Sequence, residues 1–537
     1  MAADLTKLYG LRLDLLCQGG RFEKLDLVDA YMRDVQYATR RYDWDAALVG
    51  RGGDQSAQAE YYVPQKERRP SVQRNMGALI VSRLTSMAVG AEQLPEVKIP
   101  GDLEATDFTS GIWDAASFPA KLIELRMKGG STGTACVSFG FVEGMPRLRV
   151  HDAKHCRVLR WADRDEFVVA AALKVYRYEQ TEIVDGRLKQ VPYYSVRYWD
   201  TEVEIAWNPV PEREAKDGTW SQKIQSFTVT HNYGVCPFFW CQNLPDSERE
   251  DGLSDFDGML GRFDQINYLA SSTNKGTNAN VDPTLVIKSE PGKNTGVVRK
   301  GSSNAIYSVN GADYLELKGT AVTAAISWMD EMEQWCLDEA CVVVADPKTL
   351  TSRAQSGEAL KLLYMPMASR CDLIREQYGK LIVRLLKAML QASRRIISSQ
   401  PGEVVVLEDG SRLQSVPTVT LPPRYMEERG ADGKVTVKVV QRSTGTSSDI
   451  KLNWRSYFPP TPTDITSMTD AATRAQGKII ANRTAIAYTA QVYGVKDVEQ
   501  EQAQIEAEAE LAMERMMAAE PPDPPPGKPK NADDGED

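Results

Sequence analysis

The stretch HNYGVCPFFWCQN (231–243), LPDSEREDG (244–252), LSDFDGMLGRFDQINYLASSTNKGTNAN (253–280) and VDPTLVI (281–287) decides how the chain is organised. An aromatic, strand-like run is punctuated by Gly234 and Pro237, and a charged loop follows it. Ser254 then opens a helix whose apolar residues are Phe256, Met259, Leu260, Phe263, Ile266 and Ala270. These fall at the three-and-four spacing of an amphipathic helix, and Ser254 with Asp257 reads as a capping box. Asp282-Pro283 begins a new strand.

Beyond it, short strands with glycines at their turns continue to residue 318 (TLVIKS, GVVRKG, AIYSVN, YLELKG). A second helix is predicted over 320–341, with Ala321, Ala325, Trp328, Met332, Trp335 and Cys336 as its apolar stripe. After the break VVVADPKTLTSRAQSG, a third helix is predicted over 358–398. Leu360, Leu363, Met367, Cys371, Ile374, Tyr378, Leu381, Leu385 and Met389 line one side of it, and Pro366 must kink it or mark its real start.

Upstream, helices are predicted over 21–48, 71–89 and 110–130, the last ending at Gly129-Gly130. Lys66, Arg68, Arg69 and Arg74 invite a nucleic-acid reading, but a solvated loop before a helix is the plainer one. The run GGSTGTACVSFG (129–140) is glycine-rich, yet no Lys follows its glycines; a helix stop and tight turn into a strand accounts for it. From there to about 243, runs of Val, Tyr, Phe and Trp read as successive antiparallel strands. Downstream, strands are predicted from 402 to 454, a helical pair over 464–476 and 479–493, a long acidic helix over 497–520, and a Pro-rich, charged, disordered tail.

The chain has 537 residues, enough for several cores and domains, and its 42% hydrophobic and 26% charged composition is that of a globular protein. No apolar run approaches the roughly 18 residues a membrane helix needs, and the N-terminus lacks the apolar core of a signal peptide, so a cytoplasmic product is expected. The eight cysteines form no C-x-x-C pair; His151, His155 and Cys156 come nearest to a metal cluster, and ordinary packing of buried thiols in a reducing compartment is the better reading. No cofactor is expected. G-x-S-x-G, H-E-x-x-H and Walker A patterns are all absent. The net charge of −10 argues against a tight DNA binder, though not against a conduit in which sticking would be a fault.

The order of parts resembles the portal proteins of tailed bacteriophages of the siphovirus type. In that family an N-G-x-x-P turn leads into a long channel helix and then a small domain opening with D-P; here the turn is Asn232-Tyr233-Gly234-Val235-Cys236-Pro237, one residue longer. SRAQSGEALK (352–361) is similar to the start of the portal wing helix, and the segment from 465 to about 505 is similar to the portal C-terminal ending. The resemblance implies an α+β, multi-domain portal fold. Its parts would be a wing over 1–250 and 357–460, stem helices over 251–280 and 319–341, a clip over 281–318, a tunnel loop over 342–356, a crown over 461–519 and a tail over 520–537. It further implies a homo-oligomeric ring, dodecameric in the virion, at one capsid vertex, assembled in the host cytoplasm. The implied partners are the terminase large subunit, a head-completion adaptor, the major capsid and scaffolding proteins, and double-stranded DNA passing through the channel, with no membrane. The alternatives are a capsid or tail structural protein of another kind and a nucleic-acid-processing enzyme.

Within that frame, residues 319–347 hold Asp330, Glu331, Glu333, Asp338, Glu339 and Asp346 and neither Lys nor Arg. On a helix lining a channel, these acids would repel phosphate and prevent trapping of DNA; a solvated surface face is the plainer alternative. Lys348, Thr349, Thr351, Ser352 and Arg353 stand where portals place the tunnel loop, and so are candidates for backbone contact with DNA, or simply loop charges. Tyr307, Tyr314 and Leu315 in the clip are the candidates for terminase or adaptor contact.

Overall fold

A single turn of left-handed backbone separates the two helices at the centre of the N-terminal region. In the computed structural model α1 spans Gly20–Met32, α2 Met76–Val89, α3 Leu103–Ala115 and α4 Phe118–Thr132. The structure describes residues 8, 10–50, 60–184, 187–281, 285–287, 312–314, 320–344, 361–397, 404–406, 412–414, 418–429, 435–458 and 462–475, with isolated positions beyond. Two compact units divide the chain, 1–457 and 458–537.

Several helix boundaries differ from the sequence expectation, each for a local reason. α1 stops at Met32 instead of running to 48, because Asp34 turns to φ 61°. α2 starts at Met76, not 71, where the Asn75 side chain accepts the Ala78 N–H at 2.8 Å. The helix expected over 110–130 is two helices, divided at Ser117 (φ 53°). Gly129 and Gly130 do not end α4; they lie inside it, and Gly133 (φ 83°) is its left-handed cap.

These two glycines serve close approach. A Cβ on Gly129 would meet the Tyr378 hydroxyl, and one on Gly130 would meet the Arg126 guanidinium and Val81. Alanine normally favours a helix interior over glycine by about 1 kcal/mol, but crowding a packed core costs about 1–3 kcal/mol. We therefore expect Gly130→Ala to destabilise the protein by about 2 kcal/mol in urea titrations, against its helix propensity.

Strands occupy 134–243 as expected. β1 (Thr134–Val142) and β2 (Met145–His151) form a three-stranded sheet with a later strand; β3 (Cys156–Asp163), β4 (Val168–Val184), β5 (Arg187–Trp199), β6 (Val203–Trp207) and β7 (Ser226–Thr230) form a second, in spatial order β7-β6-β5-β4-β3. β8 (Phe238–Gln242) returns to pair with β1, Phe238 opposite Ser138 and Gln242 opposite Thr134. Asn232 (φ 53°) and Gly234 (φ 74°) make the turn that precedes it.

α5 spans Leu260–Val281, so the expected start at Ser254 is six residues early. Gly258 (φ 79°) interrupts the backbone, and the Ser254 hydroxyl accepts from the Phe256 N–H at 3.3 Å, a local turn in place of a capping box. Phe256 and Met259 are buried nonetheless. β9 (Leu285–Ile287) and β10 (Ala312–Tyr314) pair antiparallel between α5 and α6 (Thr320–Glu339). α7 (Met365–Ile397) carries Pro366 at its second position; residues 361–363 before it are also helical with a turn at Tyr364 between, so the proline marks a break in the expected helix. Met367, Cys371, Ile374, Tyr378, Leu381, Leu385 and Met389 are buried as expected, in one core with α2, α4, β1 and the near ends of α5 and α6; Leu363 is exposed. Leu360 lies outside the described residues.

β11 (Arg424–Arg429) and β12 (Val435–Val440) form a hairpin, and β13 (Lys451–Asn453) pairs with Glu96–Lys98. In the second unit α8 spans Pro462–Ala475, close to the expected 464–476. The other helix of that pair, the acidic helix and the tail lie largely outside the described residues.

Candidate channel hairpin

α5 and α6 lie side by side and antiparallel: Arg262 pairs with Glu339 at one end, and Gly276 sits beside Val322 toward the other. The near ends are sunk in the core through Phe263, Ile266, Met332, Cys336 and Leu337. Toward the β9–β10 end, α6 presents Ile326 and Trp328 to solvent. Apolar burial thus fixes one end of the hairpin and leaves the other projecting.

A fully buried ion pair holds the root. Arg126 of α4 donates through Nη2 to both oxygens of Asp255, at 3.1 and 2.8 Å, and both side chains are wholly inaccessible. Asn243 donates to Asp255 at 3.0 Å and accepts from the Tyr378 hydroxyl at 3.2 Å. The guanidinium also lies 5.7 Å from the Tyr378 ring centroid. Burial opposes the charge on Arg126, but Asp255 more than offsets it and holds the guanidinium above its ordinary value. Four elements (α4, the segment after β8, the turn before α5, and α7) meet in this network.

A polar stripe holds the flank. Asp264, Asn267 and Ser271 recur at i, i+3 and i+7 along α5. Asp264 accepts from the Tyr31 and Tyr37 hydroxyls at 2.8 and 2.6 Å, Asn267 accepts the Arg74 N–H at 2.8 Å, and Ser271 accepts the Val72 N–H at 3.0 Å. Burial, then Asp264, pushes both tyrosine hydroxyls well up. Sequence reading missed this stripe, though its spacing was visible.

The acids of α6 divide into two groups. Glu333 is ion-paired with Arg74, and burial raises its carboxyl even against that partner. Glu339 is ion-paired with Arg262. Bases from elsewhere in the chain thus neutralise two residues of a segment that contains none. Asp330, Glu331 and Asp338 are exposed, and Asp338 accepts from Gln334 at 2.7 Å. Glu331, Gln334 and Asp338 share one helical face, and Trp328 and Trp335 flank it, in edge-to-face contact at 5.3 Å.

Tyr314 ends β10; Tyr307 and Leu315 lie outside the described residues, as do Lys348, Thr349, Thr351, Ser352, Arg353 and Asp346. The histidines are packing groups. His151 sits against the Ser138 hydroxyl at 2.7 Å, and among the described residues no cluster of three metal-ligating side chains occurs. All eight cysteines are free, and seven are buried.

His231 carries a pH prediction. Its Nδ1 accepts the Tyr233 N–H at 3.2 Å and its Nε2 donates to the Asp200 carbonyl at 3.1 Å, which specifies the neutral ring. Burial lowers its pKa to about 4, and His155 is lowered to about 4 for the same reason. Unfolded histidine titrates near 6.5, so between about 6.5 and 4 the unfolded chain binds protons that the folded chain refuses. Stability is therefore lost as pH falls through that window, by about 3 kcal/mol from His231. Urea midpoints measured at pH 7.5 and 4.5 should converge in His231→Gln relative to the parent chain.

An α+β chain in which two antiparallel helices, rooted in a mixed core, carry a small β element between them is the architecture in hand. A family model described as "Phage portal protein, SPP1 Gp6-like" matches residues 53–409, and the chain belongs to that family. No curated protein matches it. The family is structural rather than catalytic. Among the described residues no helix is long and apolar enough to cross a membrane.

Proposed function

We propose that this chain is the subunit of a closed portal ring, dodecameric in the virion, at one capsid vertex. Double-stranded DNA is driven in through its channel by the terminase motor and leaves through it at ejection. In this reading α5 and α6 are stem helices, the segment 281–318 is the clip, 342–356 the tunnel loop, 461–519 the crown, and the remainder up to 460 the wing. The single observation that carries it is the hairpin: two long helices fixed at one end, projecting at the other, in a chain of the phage portal family. The clip, with Tyr307, Tyr314 and Leu315, would meet the terminase large subunit and then the head-completion adaptor. The wing would face the major capsid and scaffolding proteins.

Asp330, Glu331 and Asp338 would line the bore and repel phosphate, while Lys348, Thr349, Thr351, Ser352 and Arg353 would offer sparse, salt-screened contacts that DNA leaves quickly. Glu333 and Glu339 have intramolecular partners and would contribute less field. Asp330→Lys with Glu331→Lys should therefore slow packaging or ejection about tenfold or more while leaving ring yield unchanged, since tight phosphate binding adds directly to the barrier for translocation. Electron microscopy of the purified full-length chain tests the assignment. End-on rings with a central hole are expected; tubes, shells or monomers would remove it.

A further inference from the structure

β4 and β5 run on together well beyond their neighbours. β3 pairs with β4 only from Val168 to Lys174, and β5 meets β6 at Arg197–Trp199 and the Val210–Pro211 strand at Tyr193 and Tyr194. From Glu179 opposite Pro192 out to Val184 opposite Arg187, the two strands form a ribbon paired only to each other among the described residues, about 17 Å long at strand rise. Gln190 donates to Thr181 at 2.9 Å and the Tyr193 hydroxyl to Glu182 at 2.5 Å, so the ribbon is braced. At its end Ile183 lies directly opposite Leu188, and they are 76% and 75% exposed. A lone two-stranded ribbon is marginal in water, and an aliphatic pair at its tip has no reason to face solvent unless another surface covers it.

An apolar groove of the matching kind lies at the other end of the same strand. It has a volume of about 450 Å³, and its floor is Gly379 and Val383 of α7 with Leu452 and Trp454. Its wall includes Glu166, in the turn that leads into β4, whose carbonyl accepts from Arg384. Groove and tip are therefore separated by the 17 residues of β4, about 55 Å at strand rise, and the tip cannot reach the groove of its own chain.

We propose that the β4–β5 arm of one subunit seats Ile183 and Leu188 in the α7–Trp454 groove of the next copy of this chain. Two different patches at opposite ends of one strand make a head-to-tail contact, the kind that closes into a ring rather than a two-fold dimer. The volume accommodates two aliphatic side chains. Both surfaces carry mixed charge: Glu182 stands opposite Lys189 on the arm, and Glu376 pairs with Lys380 at 2.9 Å on the rim. The arm's acid thus finds Lys380 and Arg384, and its base finds Glu376. The proposal rests on the ring reading above and adds a wing contact to it.

Cysteine cross-linking of the full-length chain tests it. Oxidised Ile183→Cys/Val383→Cys should give a ladder of covalent multimers on non-reducing gels. Mixing the two single variants should stop at dimers, and the parent, whose native thiols are nearly all buried, should show neither. Ile183→Asp with Leu188→Asp should raise the concentration needed for ring formation by about tenfold or more. Rings that form without a 183–383 cross-link and ignore the two aspartates would overturn the arm contact and leave the ring reading standing. Dimers from Ile183→Cys alone would mean tip-to-tip packing and overturn it as well. A parent chain that stays monomeric would remove both.

Discussion

Asp255→Ala should be the most destabilising single change in the chain, at about 3–5 kcal/mol. The substitution leaves the Arg126 guanidinium buried at zero accessibility with its carboxylate gone, facing the Tyr378 ring. Its Nε and Nη1 already lack protein partners among the described residues, so no spare hydrogen bond compensates. Removing one member of a buried pair is much worse than removing both, because the cost is that of the stranded charge. Arg126→Met/Asp255→Leu should accordingly recover most of the loss. Urea unfolding followed by circular dichroism reads both variants; an Asp255→Ala midpoint within error of the parent would show that the pair does not hold the hairpin root.

The second large effect concerns assembly. Trp328 and Trp335 are 48% and 44% exposed on a helix otherwise rich in acids, and large aromatics in that position are the natural anchors of an interface. Trp328→Glu/Trp335→Glu should leave the fold intact, since neither ring is in the core, yet in the proposed ring would place two charges per subunit where a neighbouring subunit would have to exclude water. Light scattering should then give the 59.7 kDa monomer in place of the ring. Trp328→Phe/Trp335→Phe should still assemble. A ring of normal yield from the glutamate variant would put these residues outside the subunit contact.

Periodicity alone made much of this molecule legible. The three-and-four spacing from Met367 to Met389 marked the central helix, Pro366 marked a break near its N-terminal end, and β-branched and aromatic runs located the strands of 134–243. The turn at Asn232–Pro237, the following helix and the Asp282-Pro283 opening carried the family resemblance that the match over 53–409 bears out. Such signals are local, because one helix or strand buries one face and its sequence records which.

What the sequence by itself determined, then, is the order and type of the elements, the family and the apolar faces that need partners. Only the tertiary structure decided which residues those partners are. Gly129-Gly130 reads locally as a helix stop, yet Tyr378 and Arg126, brought in from α7 and from one turn earlier, claim the space a Cβ would need. The acids of α6 read as one uniform wall, yet Arg74, some 259 positions away, neutralises Glu333. Asp264 looks like a solvated helix residue and is bound by two tyrosines of the N-terminal region. Each of these depends on which long-range segment arrives at a given face. Backbone propensity and periodicity act over a few residues, whereas charge pairing, desolvation and steric exclusion act wherever the fold brings atoms together.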